Sequence, residues 1–154
     1  MNEQTNDLQA IAKTSGKLLG VDFGDTRTGL AVSDPSRLLA SGIGYISPGG
    51  IEKTADAVAE LARKQKVVGI VVGLPVNMDG SEGARAARCR KFAFLLTERL
   101  DLPISMFDER MTTMTAARYL NETNTRGKKR KTVIDTLSAQ IILQNCLDRL
   151  KYMN

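Results

Sequence analysis

Gly20-Val21-Asp22-Phe23-Gly24-Asp25-Thr26-Arg27-Thr28-Gly29-Leu30-Ala31 joins two apolar runs through a glycine-rich turn and places one carboxylate at the end of the first run. Residues 17–23 read as a buried strand, and residues 28–33 as the strand that folds back beside it. An isolated buried carboxylate is costly unless a cation, a metal or hydrogen-bond donors compensate it. Asp22 therefore fits two descriptions: a turn former that accepts backbone N–H bonds, or a metal ligand.

Working outward, residues 40–46 form a third strand after the turn Asp34-Pro35-Ser36, which gives an antiparallel meander. Residues 51–66 carry Ala55, Val58, Ala59, Leu61 and Ala62 at helical spacing. The β-branched run 67–73, stopped by Leu74-Pro75, suits a central strand covered on both faces. Ser81 can cap a helix over 82–100, residues 102–107 form another strand, and Thr112 or Thr113 can cap a helix to about Asn121. Residues 132–150 present one broad apolar stripe. The order resembles the ribonuclease H-like α/β fold, which implies a mixed five-stranded sheet, antiparallel meander plus parallel strands, flanked by helices. A single domain over 17–151 is expected, preceded by a flexible N-terminal tail, 1–16.

Composition narrows the chemistry. With no histidine among 154 residues, Ser-His-Asp and Cys-His systems are excluded, and proton transfer falls to carboxylates, lysine or metal-activated water. Cys89 and Cys146 lie far apart in helical patterns, which suggests neither a disulfide framework nor a cysteine zinc site and suits a reducing cytoplasm. No apolar run is long enough to span a membrane, and the polar start carries no signal-peptide core. The net charge of +5 is concentrated: Arg126, Lys128, Lys129, Arg130 and Lys131 account for the whole excess of 22 basic over 17 acidic residues. A cationic loop there is the electrostatic footprint of phosphate binding, although charge runs are often only solvated surface.

In this fold Asp22 ends the first strand, Asp108 and Glu109 end the last, and Asp135 sits in the first turn of the terminal helix. Carboxylates from separate elements can share two divalent ions and hold a phosphodiester for in-line attack by activated water. Asp135 also fits a capping box, Thr132-Val133-Ile134-Asp135. The choice between Asp108 and Glu109 turns on one residue of strand register; Glu109 is preferred and Asp108 held in reserve. The loop 74–83 enters a helix and can meet phosphate through backbone N–H groups and Asn77, or be only a tight connection. Arg27, Arg85 and Arg88 can be further phosphate contacts, although arginines on exposed helix faces are usually only solvated.

Four segments, Gly20-Val21-Asp22-Phe23-Gly24 with Arg27-Thr28-Gly29, Gly73 to Gly83, Asp108-Glu109-Arg110 with Thr112-Thr113, and Lys128 to Asp135, resemble the YqgF (RuvX) family of pre-16S rRNA nucleases, relatives of RuvC-type Holliday junction resolvases. The resemblance implies a metal-dependent hydrolase with Asp22, Glu109 and Asp135 as its catalytic and metal-binding set and Mg²⁺ or Mn²⁺ as cofactor. The basic residues 126 and 128–131, with Arg27 and Asn77, would contact the nucleic acid. It further implies processing of the 5′ end of precursor 16S rRNA, association with the ribosome and a cytoplasmic location. Alternatives are cleavage of branched DNA, for which a homodimer is expected, and non-catalytic rRNA binding. One departure stands out: the resolvases carry a glutamate at the end of the strand that here ends Gly73-Leu74-Pro75, so the acids of the neighbouring strand end would have to replace it.

Overall fold

The structure, a computed structural model, describes the backbone of residues 3–111 and 127–153 and the side chains of residues 8–110 and 136–153. Five strands form one sheet in the order β3-β2-β1-β4-β5: β1 (Leu18–Asp22), β2 (Thr28–Ser33), β3 (Ala40–Ile46), β4 (Gly69–Leu74) and β5 (Ile104–Asp108). The first three strands are the expected antiparallel meander, and β1, β4 and β5 run parallel. All six residues of β4 are buried, as a strand with parallel neighbours and two covered faces requires.

Side-chain alternation divides the core into two layers. Leu19, Val21, Ile70 and Val72 face α2 (Ile51–Gln65) and α3 (Ala84–Arg99), where Val58, Ala59, Phe92 and Leu96 meet them. Leu18, Val71 and Phe107 face the other layer, with Ile11 of α1 (Glu3–Ala12) and Ala139, Ile142, Leu143 and Leu147 of α4 (Gly127–Leu150). Phe23 stacks on Phe92 with ring centroids 4.6 Å apart. Among the described residues no helix is long and apolar enough to cross a membrane.

Helix α4 lies close to the sheet because glycine lies beneath it. A Cβ at Gly20 would come within 2.7 Å of the Leu143 Cβ and 3.2 Å of the Ala139 carbonyl oxygen. The same parity that turns Gly20 toward α4 places Asp22, two residues on, on the α4 side of the sheet.

Two expectations change. Residues 1–16, expected as a flexible tail, contain α1, and its Ile11 is completely buried. The cationic segment, expected as a loop before a helix at 132, belongs to α4, which begins at Gly127. Lysine and arginine are good helix formers, so a charge run propagates a helix as readily as it fills a loop. The helix expected from Thr112 or Thr113 to about Asn121, and Arg126 with it, lie outside the described residues.

Candidate functional site

Parallel strands end at the same edge of a sheet, and that edge is where open α/β sheets hold ligands. Here Asp22 closes β1, Leu74 closes β4, and Asp108 closes β5 before a 3₁₀ turn, Glu109–Met111. The pairing of Val21 with Val72, carried one residue further, sets Asp22 beside Gly73.

Gly73 makes the site possible. A Cβ there would fall 2.5 Å from the Ile142 Cδ1 and 2.9 Å from Glu109 Oε2. The carboxylate of Glu109 thus leans from the end of β5 over the end of β4, into the space a larger residue would fill. Its Oε2 is shielded from solvent. Burial pushes the Glu109 carboxyl above its ordinary range, the Arg85 guanidinium partly offsets this, and the neighbouring Asp108 charge adds to it.

Asp108 behaves differently. Its Oδ1 accepts the Arg110 backbone N–H at 2.8 Å, and its Oδ2 accepts Arg110 Nη2 at 2.7 Å and Nε at 3.0 Å. These bonds hold the carboxyl below its usual range. The same guanidinium reaches the carbonyls of Asn77 and Met78, each at 3.4 Å. Asp108 therefore anchors the loop after β4, while Glu109 turns inward. The tripeptide Asp108-Glu109-Arg110 divides its two acids between a structural and a buried position.

Asp22 is partly buried, with 18% of its side chain exposed, and Arg85 Nη2 of α3 stands 3.5 Å from its Oδ1. Beneath this edge Cys89 is buried, and desolvation pushes its thiol up to about 12, against the lowering effect of Arg85 and with the nearby charges of Glu109 and Asp22 adding to the rise. A thiol that stays protonated is no nucleophile or thiolate ligand. Next to Asp22 a cleft of about 270 Å³ is lined by Phe23, Gly24, Asp25, Ala84, Arg85 and Arg88. Arg88 donates to Asp25 Oδ1 from Nη2 at 2.7 Å and from Nε at 3.1 Å.

The other residues singled out by sequence distribute around this edge. Arg27 lies over the Tyr45 ring, 5.3 Å from its centroid. Asn77 is built into its own loop: its Nδ2 donates to Ser81 Oγ at 2.9 Å, its N–H to the Ser81 carbonyl at 2.9 Å, and Ser81 Oγ donates to Asp79 at 2.6 Å. The loop 76–82 is thus a tight connection, closed by a Val76–Glu82 bridge. The side chains of Asp135 and of residues 128–131 lie outside the described residues. The backbone nonetheless revises one point: Asp135 is the ninth residue of α4, well past the first turn, where backbone N–H groups already have partners in the helix, so a capping box has no donors to satisfy there. Position 135 precedes by one turn Ala139, whose carbonyl oxygen approaches Gly20. Among the described residues no three His, Cys, Asp or Glu side chains converge in a metal-holding group.

Sequence reasoning treated Arg85 as one of several phosphate contacts and missed its place beside Asp22. A signal existed: a helix N-terminus favours acids, yet the first turn of α3 has none and carries an arginine.

Comparison with known proteins gives a consistent result. The model of a family described as "RuvX: Holliday junction resolvase" matches residues 16–149. A protein of Phenylobacterium zucineum named "Putative pre-16S rRNA nuclease" is 45% identical over 147 residues, 94% of each chain. One of the same name from Cereibacter sphaeroides is 40% identical over 153 residues, 99% of this chain and 96% of the relative. Among solved structures, Thermus thermophilus RuvC in complex with a Holliday junction substrate superposes with a TM-score of 0.59 at 14% identity, covering 89% of this chain and 97% of that one. This likeness establishes the ribonuclease H-like fold.

Proposed function

Given that this chain belongs to the RuvX family, we propose that it is a metal-dependent nuclease acting in the cytoplasm on structured RNA, namely the 5′ end of precursor 16S rRNA. The observation that carries the reading is the arrangement around Gly73: Glu109, from the end of β5, lies over it, and strand register sets Asp22, at the end of β1, beside it. In this reading Glu109, from the next strand, would replace the acid absent from the end of β4.

The residues fit a divalent cation such as Mg²⁺ or Mn²⁺. Glu109 is held in a space that desolvates its charge, and a cation at the Asp22 edge would compensate both carboxylates. Asp22 and Glu109 would hold it, with Asp135 as the third acid from α4. Such ions supply Lewis-acid stabilisation of the phosphoryl oxygens and a nucleophile at neutral pH. Gly73 leaves space for the Glu109 carboxylate, and Asp108 with Arg110 fixes the loop 76–82 at the border of the site. Arg27 and the cations 126 and 128–131 would position the nucleic-acid backbone, which makes binding salt-dependent. Ribosome association belongs to the same reading.

A second reading, cleavage of branched DNA by a homodimer, draws on the name of the family and on the RuvC-like fold. One preparation tests both: wild type beside Asp22→Asn, with Mg²⁺ and with Mn²⁺, on precursor rRNA, single-stranded RNA and a four-way DNA junction. The expected result is cleavage of precursor rRNA by the wild type alone, with binding retained by the variant. Undiminished cleavage by Asp22→Asn would overturn the site, and cleavage of the junction only would favour the second reading. If neither protein cuts any substrate under either metal, the chain is a binding protein.

A further inference from the structure

Arg85 faces two demands that cannot be met at once. Its Nη2 lies 3.5 Å from Asp22, one of the carboxylates proposed above as metal ligands. A divalent ion held by those carboxylates would repel it, because like charges a few ångströms apart in a half-buried site cost more than the single contact returns. The arginine is free to leave: its side chain is 61% exposed, against 18% for Asp22. It already borders the 270 Å³ cleft, where Arg88, three residues further along the same helix, is balanced by Asp25, so Arg85 is the cation there whose charge the metal would release. A guanidinium fork can hold a phosphate through two parallel N–H bonds.

We propose that Arg85 is an exchangeable counter-cation: it neutralises Asp22 in the metal-free protein, gives way to the divalent ion, and then turns into the cleft to hold a backbone phosphate adjacent to the scissile one. The proposal rests on the metal-site reading above and predicts a double signature of opposite sign. Removing the charge of Arg85 strengthens metal binding, because a competitor is gone, and weakens RNA binding, because a phosphate contact is gone. A residue that only supported the fold would move both in one direction or neither.

The test uses the full chain as wild type, Arg85→Gln, Arg85→Lys and Asp22→Asn. Mn²⁺ titration calorimetry should show about fivefold tighter binding for Arg85→Gln, near wild-type affinity for Arg85→Lys, and little binding for Asp22→Asn. RNA binding measured with Ca²⁺ should be weaker for Arg85→Gln, with a salt slope smaller by about 0.7. Thermal unfolding gives an independent reading: Mn²⁺ should raise the Tm of Arg85→Gln more than that of the wild type. If Asp22→Asn loses Mn²⁺ but Arg85→Gln binds it no more tightly than the wild type, the exchange is wrong and the metal site stands. If Asp22→Asn binds Mn²⁺ like the wild type, the site itself is wrong and the exchange falls with it.

Discussion

Where β2 turns toward β3, Asp34 accepts the backbone N–H groups of Leu38 and Leu39 at 2.8 Å each and the hydroxyl of Ser36. These donors, the Leu39 N–H foremost, pull its carboxyl down to about 2. Beside it Arg37 donates to the carbonyls of Gly16 and Ile11 at 2.8 and 3.0 Å and to Thr14 Oγ1 at 2.6 Å, clamping the end of α1. At the opposite end of the same sheet, Glu109 sits where burial pushes its carboxyl up, and Asp22 has its arginine at 3.5 Å. One end uses its charges to hold the chain together; the other holds one carboxylate, Glu109, that burial desolvates and another, Asp22, beside an exposed arginine. Structural acids are recognised by donors that lower their pKa, and candidate functional ones by a desolvation the fold maintains.

The comparison breaks or sharpens under substitution. The largest effect is expected from Gly73→Ala, whose Cβ would displace the Glu109 carboxylate and the Ile142 methyl group. Both are flexible side-chain ends, so stability should fall by only about 1 kcal/mol, while cleavage of precursor rRNA falls on the order of 100-fold through misplacement of the acid. Cleavage kinetics and urea unfolding on one preparation separate the two, and a wild-type rate would show that Glu109 does not work from this position.

Glu109→Gln should likewise lower the cleavage rate by about 100-fold, yet raise stability at neutral pH. The folded pKa lies above the unfolded value, so the stability attached to this group is present below about pH 4.5 and is lost as pH rises through the folded pKa. The gain of the variant should therefore vanish in acid. A variant less stable than the wild type at pH 7 would contradict the contrast between the two ends.

Arg37→Ala removes the three donations that tie α1 and the following turn to the sheet, and should cost about 1–3 kcal/mol in urea unfolding, with the cleavage rate of the folded protein unchanged. Smallest is Asp34→Asn. The folded pKa of about 2 lies below the unfolded value of 3.8, so the contribution of this group is present above about pH 4 and is lost as pH falls toward 2. The variant should have a lower Tm than the wild type at pH 6 and the same Tm near pH 2; a constant difference across that range would place its effect elsewhere.

How far the sequence alone could be read varies between these residues. The meander was legible because Gly24-Asp25-Thr26-Arg27 and Asp34-Pro35-Ser36 separate runs of strand period, and Asp22 was legible because it interrupts an apolar run. Helix α1 was missed: it is mostly polar, and its fully buried Ile11 is a contact that only the far side of the sheet reveals. The start of α4 was misplaced because lysine and arginine serve helices and loops equally well. Glu109 was preferred over Asp108 without a physical reason, since strand parity reverses with a single residue. Only the fold distinguishes the two side chains: Arg110 binds Asp108, and Glu109 lies over Gly73.

By itself the sequence determined the succession of strands and helices, the absence of histidine chemistry and the carboxylate that ends β1, because periodicity, turn formers and composition are local properties. Tertiary structure alone decided that Glu109 lies over Gly73, that Arg85 reaches Asp22 from another helix, and that α4 crosses the sheet above Gly20. Those contacts join residues dozens of positions apart, and their existence depends on the packing of a strand end, a glycine and a helix face that no single stretch of chain contains.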